Sequence, residues 1–204
     1  MYSYLYSFIQ KLILKKSLNS DAANLLRFTK FQNIIDIGCG ESDVHNYFKL
    51  DKTRKYFGYE LNNYFIKKLR KKYNKKNFFF AKKKIDQINF KKFDPKKTII
   101  LLIGIFHHID DRTIKLFLTK TKKFKIISID AVILPRQNFI TRLLFFLDKG
   151  NFIRRLPDYK KIITGFEYKV LRNRYLRFPY DHLMCFKNIK KKDVDKALRV
   201  INYR

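Results

Sequence analysis

A chain of 204 residues, 46% of them apolar and 17% aromatic, is large enough for a substantial core and too apolar for intrinsic disorder. Its 47 Lys and Arg against 17 Asp and Glu give a formal net charge of +30. That charge fits an anionic partner, but the bias toward Lys, Ile, Asn, Phe and Tyr and the spread of basic residues along the chain favour a compositional origin. Two distant cysteines, Cys39 and Cys185, exclude a disulfide scaffold and zinc-site spacing. The longest uncharged apolar run, Thr98 to Phe106, is too short to span a bilayer, and the N-terminus lacks a signal-peptide pattern. A soluble cytoplasmic protein is therefore expected.

Tyr4, Leu5, Phe8, Ile9 and Leu12 recur at helical spacing opposite Ser3, Ser7, Lys11 and Lys15. This predicts an amphipathic helix that covers a core edge or rests on a membrane surface. A second helix is expected from a Ser20 or Asp21 cap to about Lys30. From Asn33 the pattern changes. NIIDIG predicts a buried strand ending at glycine, and SDVHNYFKL a helix with Ser42 or Asp43 near its cap. KYFGYE and NNYFIKKLRKKY predict the second strand and helix, and NFFFA the third strand, followed by a short polar helix or loop to Phe93. KTIILLIGIF, DRTIKLFLTKTKKF and KIISIDAVIL predict a fourth strand, a helix capped by Asp110 or Asp111, and a fifth strand. Strands and helices alternating at this interval imply right-handed βαβ units on a parallel sheet.

After Pro135 the rhythm breaks. NFITRLLFFLDKG predicts a helix closing at Gly150, and PDYKKIIT another with Pro157 in its first turn. FEYKVLRNRY and YDHLMCFKN predict an antiparallel pair, and KKDVDKALRVIN a last helix. The expected fold class is α/β, a doubly wound Rossmann-like three-layer sandwich with a mostly parallel seven-stranded sheet and an antiparallel last strand. The chain reads as one domain, with N-terminal helices at 1–30, a cofactor-binding core at 31–134, and substrate-side helices and the last two strands at 135–190.

In such a sheet, ligands bind beyond the carboxyl ends of the strands. Asp36 ends the first strand there, and Gly38 and Gly40 let the backbone turn tightly against a ligand with no Cβ in the way. The N-terminus of the expected next helix would suit a carboxylate. Glu60 closes YFGYE roughly 20 residues beyond Gly38, where an acid accepts hydrogen bonds from ribose hydroxyls. Leu61 follows, ready to pack on an adenine face. A dinucleotide fingerprint would need a glycine where Asp43 stands, and an acid there would repel phosphates.

NIIDIGCGES, YFGYEL and IGIFHHIDD, in that order, resemble the class I S-adenosylmethionine-dependent methyltransferases over roughly Phe31 to Asp130, with looser support to about Lys187. The resemblance implies S-adenosyl-L-methionine as cofactor. It implies that Asp36, Gly38, Cys39 and Gly40 hold the methionine part, that Glu60 holds the ribose, and that Leu102 and Gly104 touch the cofactor from below. LDKGNFIRRLPDYKKII with RFPYDHLMCF resembles the C-terminal half of small bacterial members. Two departures stand out. Ser42 replaces a frequent third glycine. The acid that usually follows the third strand to hold the adenine amine is missing, since FFFAKKKID offers Ala81 and Lys82 to Lys84, with Asp86 the nearest acid.

Methyl transfer from a sulfonium is an in-line displacement in which the protein supplies position and, for an oxygen acceptor, a base. His107 and His108 at the exit of the fourth strand are the candidate catalytic residues. Adjacent side chains point in different directions, so at most one faces an acceptor, and the competing role is a histidine that orients a loop. Neither a metal site on this pair nor a nucleophilic Cys39 is expected. No Asn-Pro-Pro or Asp-Pro-Pro tetrapeptide of exocyclic-amine methylases is present. Arg136, Arg142, Arg154, Arg155, Tyr159, Arg174, Tyr180 and His182 are candidates for substrate contact, arginine suiting carboxylate or phosphate. The expected acceptor is a small metabolite, lipid or glycan precursor methylated on oxygen. One alternative is RNA held by the basic surface, although no appended RNA-binding motif is visible; a basic face gathered at the pocket mouth would favour it. The other is a non-catalytic module that keeps the fold for binding.

Overall fold

The computed structural model describes residues 17–135, 151–172 and 181–202, together with residues 137, 139, 141 and 145. In chain order the elements are α1 (Leu18–Phe28), β1 (Asn33–Ile37), β2 (Lys55–Glu60), α2 (Asn63–Lys72), β3 (Phe78–Lys82), β4 (Thr98–Ile103), α3 (Asp111–Lys120), β5 (Lys125–Ile133), β6 (Arg154–Arg155), α4 (Leu156–Ile162), β7 (Glu167–Leu171), β8 (His182–Lys187) and α5 (Lys191–Asn202). The sheet runs β3-β2-β1-β4-β5-β8-β7. Strands β1 to β5 pair in parallel, and β8 lies antiparallel between β5 and β7. The two-residue β6 adds a parallel pairing at Val132 and Ile133 of β5. This is the doubly wound, mostly parallel α/β sheet with one reversed strand that the alternation implied.

The central strands are buried on both faces, which is why they read as continuous apolar runs rather than alternating ones. Ile34, Ile99 and Ile127 point to one side, into a cluster with Leu25 and Leu26 of α1, Ile66 and Leu69 of α2, and Ala197 and Ile201 of α5. Ile35, Ile100 and Ile126 point to the other, against Ile114 and Phe117 of α3 and Tyr159 and Ile162 of α4. The winding direction reverses between β1 and β4. The crevice over their carboxyl ends is therefore bordered by Ile37, by Glu60 at the end of neighbouring β2, and by Ile103.

Two local expectations are corrected. The cap of α1 is Ser17, whose side chain accepts from the Asn19 N–H at 3.2 Å, whereas Asp21 lies fully buried within the helix. The segment after the glycine turn forms a four-residue 3₁₀ turn, Asp43–Asn46, instead of an α-helix. Side-chain bonds compete there with a helical ladder: Asn46 Nδ2 donates to Asp43 Oδ1 at 3.3 Å, and Arg27 takes the Tyr47 carbonyl at 2.6 Å. The crevice is thus not faced by the helix N-terminus expected to receive a carboxylate. The region between Lys82 and Phe93 holds two more 3₁₀ turns, Ile85–Gln87 and Phe90–Lys92. The expected N-terminal amphipathic helix lies outside the described residues, as does most of the helix closing at Gly150.

Candidate active site

The turn after β1 continues the sheet for one step. The N–H groups of Gly38 and Cys39 both donate to the Tyr59 carbonyl, at 2.7 and 3.1 Å. Gly38 and Gly40 then take φ of +68° and +51°, in the left-handed region that glycine enters freely. A Cβ on Gly38 would lie 2.0 Å from Ile105 Cδ1, so this glycine also makes room for the segment after β4. Around Gly40 nothing would lie within 4 Å of a Cβ, and this side of the turn is open.

Glu60 reaches back to this turn. Its Oε2 accepts from the Gly40 N–H at 3.0 Å, and its Oε1 accepts from the Leu61 and Asn62 N–H groups at 2.7 and 2.9 Å. Three of about four lone-pair directions on the carboxylate are used, and the remaining one, on Oε2, can accept a hydroxyl. Leu61 beside it is 52% exposed. The two sequence motifs, glycine turn and strand-end acid, therefore meet through a direct hydrogen bond.

Asp36 sits beneath the turn rather than on its surface. It is buried, and its Oδ2 accepts from Tyr56 Oη at 2.5 Å, while Tyr56 Oη accepts from Ser42 Oγ at 2.5 Å. Ser42, at the frequent position of a third glycine, adopts φ +60° all the same, and its anchored hydroxyl holds it there. Burial pushes the Asp36 carboxyl up from 3.8 to about 7, with the Tyr56 hydrogen bond opposing and the Glu60 charge adding. Burial, reinforced by Asp36 and Glu60, also pushes the Cys39 thiol up. Its sulfur packs against β2 at Gly58. This thiol is not poised as a nucleophile.

Beyond β4, Gly104 turns the chain with φ +67°, its N–H bound to the Ile129 carbonyl at 2.8 Å. Leu102 is fully buried in the core and presents no surface to a ligand, unlike the contact from below expected of it. The 3₁₀ turn Phe106–His108 follows and separates the two histidines. His107 is buried, and its Nδ1 hydrogen-bonds Asp130 Oδ1 on β5. Asp130 is 1% exposed and is fixed by two backbone donors, His107 N–H at 3.2 Å and Ala131 N–H at 2.8 Å. His108 is exposed, its ring 4.0 Å from that of His107. Asp110 caps α3 through the Thr113 N–H at 2.8 Å.

Arg154 locks this segment from behind. Its guanidinium, 7% exposed with the rest of the residue, donates to the carbonyls of Phe106 (2.7 Å) and Phe152 (2.9 Å) and to Asp111 Oδ1 (2.8 Å). It is a clamp for the histidine loop, not a substrate ligand. Tyr159 and His182 are likewise buried, Arg155 is exposed, and Arg136, Arg142, Arg174 and Tyr180 lie outside the described residues. Sequence reasoning singled out neither Asp130 nor Tyr56 as functional. The signal was present for both: a lone acid inside the apolar run IISIDAVIL, and a tyrosine at an inward position of KYFGYE. Among the described residues no cluster of His, Cys, Asp or Glu suits a metal ion, and no helix is long and apolar enough to cross a membrane.

Residues 35–117 match the profile of the family described as methyltransferase domain. No curated protein matches the chain. Among solved structures, the chain is similar to the YcgJ protein of Bacillus subtilis, at 10% identity over 85% of this chain and 99% of that one, with a TM-score of 0.63. It is similar to a SAM-dependent methyltransferase of Aquifex aeolicus, at 16% identity over 88% and 97% of the two chains, TM-score 0.58. It also matches the mitomycin 7-O-methyltransferase MmcR, at 14% identity over 83% of this chain and 54% of that one, TM-score 0.57.

Proposed function

We propose that the chain is a class I S-adenosylmethionine-dependent methyltransferase that methylates an oxygen of a small metabolite, lipid or glycan precursor, with His107 as the base. The observation that supports this reading is the buried Asp130–His107 pair in the turn that follows β4. A bound S-adenosylmethionine supplies the sulfonium methyl group. The residues present fit it: the open side of Gly40, the lone pair left on Glu60 Oε2, and the half-exposed Leu61 beside that carboxylate. Gly38, Cys39 and Gly40 would hold its methionine part, Glu60 its ribose and Leu61 its adenine.

The chain's own chemistry then rests on one proton. With His107 Nδ1–H donated to the Asp130 carboxylate, the basic lone pair would be on Nε2. As a hydroxyl acceptor attacks, His107 takes its proton, and Asp130 stabilises the imidazolium formed. MmcR, by its description an O-methyltransferase, shares the fold and lends weight to an oxygen acceptor. Cys39 and Cys185, both free and buried, suit a reducing cytoplasm. The test is transfer of tritiated methyl from S-adenosylmethionine to a panel of phenols, sugars and lipid alcohols. The wild type should label at least one. His107→Asn should lose about 10²- to 10⁴-fold in kcat while S-adenosylhomocysteine binding stays unchanged. Asp130→Asn should lower kcat as well and shift the pH profile. An undiminished rate in His107→Asn would refute the assignment.

A further inference from the structure

The positive charge of this chain is not evenly laid out. Between residues 62 and 92 there are twelve Lys and Arg but one acid, Asp86. All twelve are exposed. Among the described residues only Lys68 of this set is within ion-pair distance of a carboxylate, that of Glu41 at 2.6 Å. These residues belong to α2, β3 and the turns that follow, and β3 is an edge of the sheet.

That edge also carries aromatic rings. Arg70, Tyr73, Lys75, Phe78, Phe79 and Phe80 line a groove of about 310 Å³ between the end of α2 and β3. Phe79 is 45% exposed, and its ring stacks on Phe57 with centroids 4.9 Å apart and an 11° tilt, so one flat face rests on protein. Tyr73 stacks on Phe78 at 4.9 Å and 11°. Arg70 donates twice to the Phe80 carbonyl, at 3.1 and 2.8 Å, which holds its guanidinium along the strand edge and blocks pairing with another strand there. By strand alternation Lys82 follows Phe80 on the same face, and Lys82 is in register with Glu60 at the crevice.

We propose that this groove and its lysines bind single-stranded nucleic acid, with a base stacked on the exposed Phe79 and phosphates met by Lys75, Lys82 and Lys83. A ring with one open face, set among cations that have no carboxylate partner, is the combination that such strands use. A membrane surface would need several projecting apolar side chains, whereas among the rings of this groove only Phe79 is exposed. The surface reaches the cofactor crevice at Lys82 but does not depend on the chemistry proposed for His107.

The test is fluorescence anisotropy of a labelled single-stranded RNA oligonucleotide across a series of salt concentrations, with the full chain. The wild type should bind with strong salt dependence. Phe79→Ala should weaken binding by about fivefold or more. Lys75→Gln, Lys82→Gln and Lys83→Gln together should reduce the log–log salt slope by about 2. The exposed set Lys115→Gln, Lys122→Gln and Lys123→Gln removes the same charge elsewhere and should leave the Phe79-dependent binding in place. Equal losses from both lysine sets would overturn the proposal, because charge alone would then explain binding. So would Phe79→Ala binding like the wild type, or preferential binding to phosphatidylserine vesicles over the oligonucleotide.

Discussion

Replacing Asp36 by asparagine should make the protein more stable at alkaline pH and leave acid stability nearly unchanged. The Asp36 carboxyl is buried, with Tyr56 Oη its one hydrogen-bond donor among the described residues. Its pKa is raised from 3.8 to about 7, first by burial. The folded protein therefore keeps a proton that the unfolded chain releases above about pH 4. The group's stabilising contribution is complete below that pH and is lost as pH rises through 7. A displacement of this size corresponds to about 4 kcal/mol between the two limits. The asparagine side chain would keep an oxygen for the Tyr56 hydroxyl and carry no charge at any pH. Urea unfolding of both proteins between pH 4 and pH 8 isolates the effect, since other titrating groups cancel in the difference. The difference should grow with pH in favour of Asp36→Asn, approaching about 4 kcal/mol by pH 8. A difference that stays flat over this range would refute the reasoning.

Two further perturbations separate packing from backbone strain and function from support. Gly38→Ala should cost far more stability than Gly40→Ala. Both positions have positive φ, worth about 1–2 kcal/mol against alanine, but only Gly38 would drive its Cβ into Ile105. Thermal unfolding of the two variants and of Gly38→Ala with Ile105→Ala checks this, the double variant regaining part of the loss. Arg154→Leu should destabilise by about 2 kcal/mol or more, because the Phe106 and Phe152 carbonyls lose their guanidinium donor. Circular dichroism melts measure that loss, and no change would mean the clamp carries no weight.

The parallel strands were legible because strands buried on both faces are apolar runs between glycines and lysines, as in NIIDIG and TIILLI. The end-of-strand chemistry was legible for the same reason: in an alternating βαβ chain, the residues that follow an apolar run must lie at one edge of the sheet. What followed Gly40 was not legible. SDVHNYFKL has helical spacing, yet Arg27 from α1, far away in sequence, binds the Tyr47 carbonyl and the segment closes as a 3₁₀ turn. Pairwise tertiary bonds of this kind leave no periodic trace. Asp130 shows the opposite limit. A lone acid in IISIDAVIL could be marked as costly to bury, but only the fold brings it to His107, 23 residues earlier. The basic residues read in the sequence as spread along the chain, and only the sheet order brings twelve of them together at the β3 edge beside Phe79.

The proposed cofactor site has the glycine turn and the Glu60 carboxylate, joined by the Gly40 N–H bond, converging on one nucleoside. Calorimetric titration of S-adenosylhomocysteine into the wild type and Glu60→Ala tests it most directly. One molecule should bind per wild-type chain, and Glu60→Ala should bind at least about tenfold more weakly, as loss of a charged hydrogen bond to a hydroxyl requires. Absence of binding to the wild type, or equal affinity in the two proteins, would contradict the account.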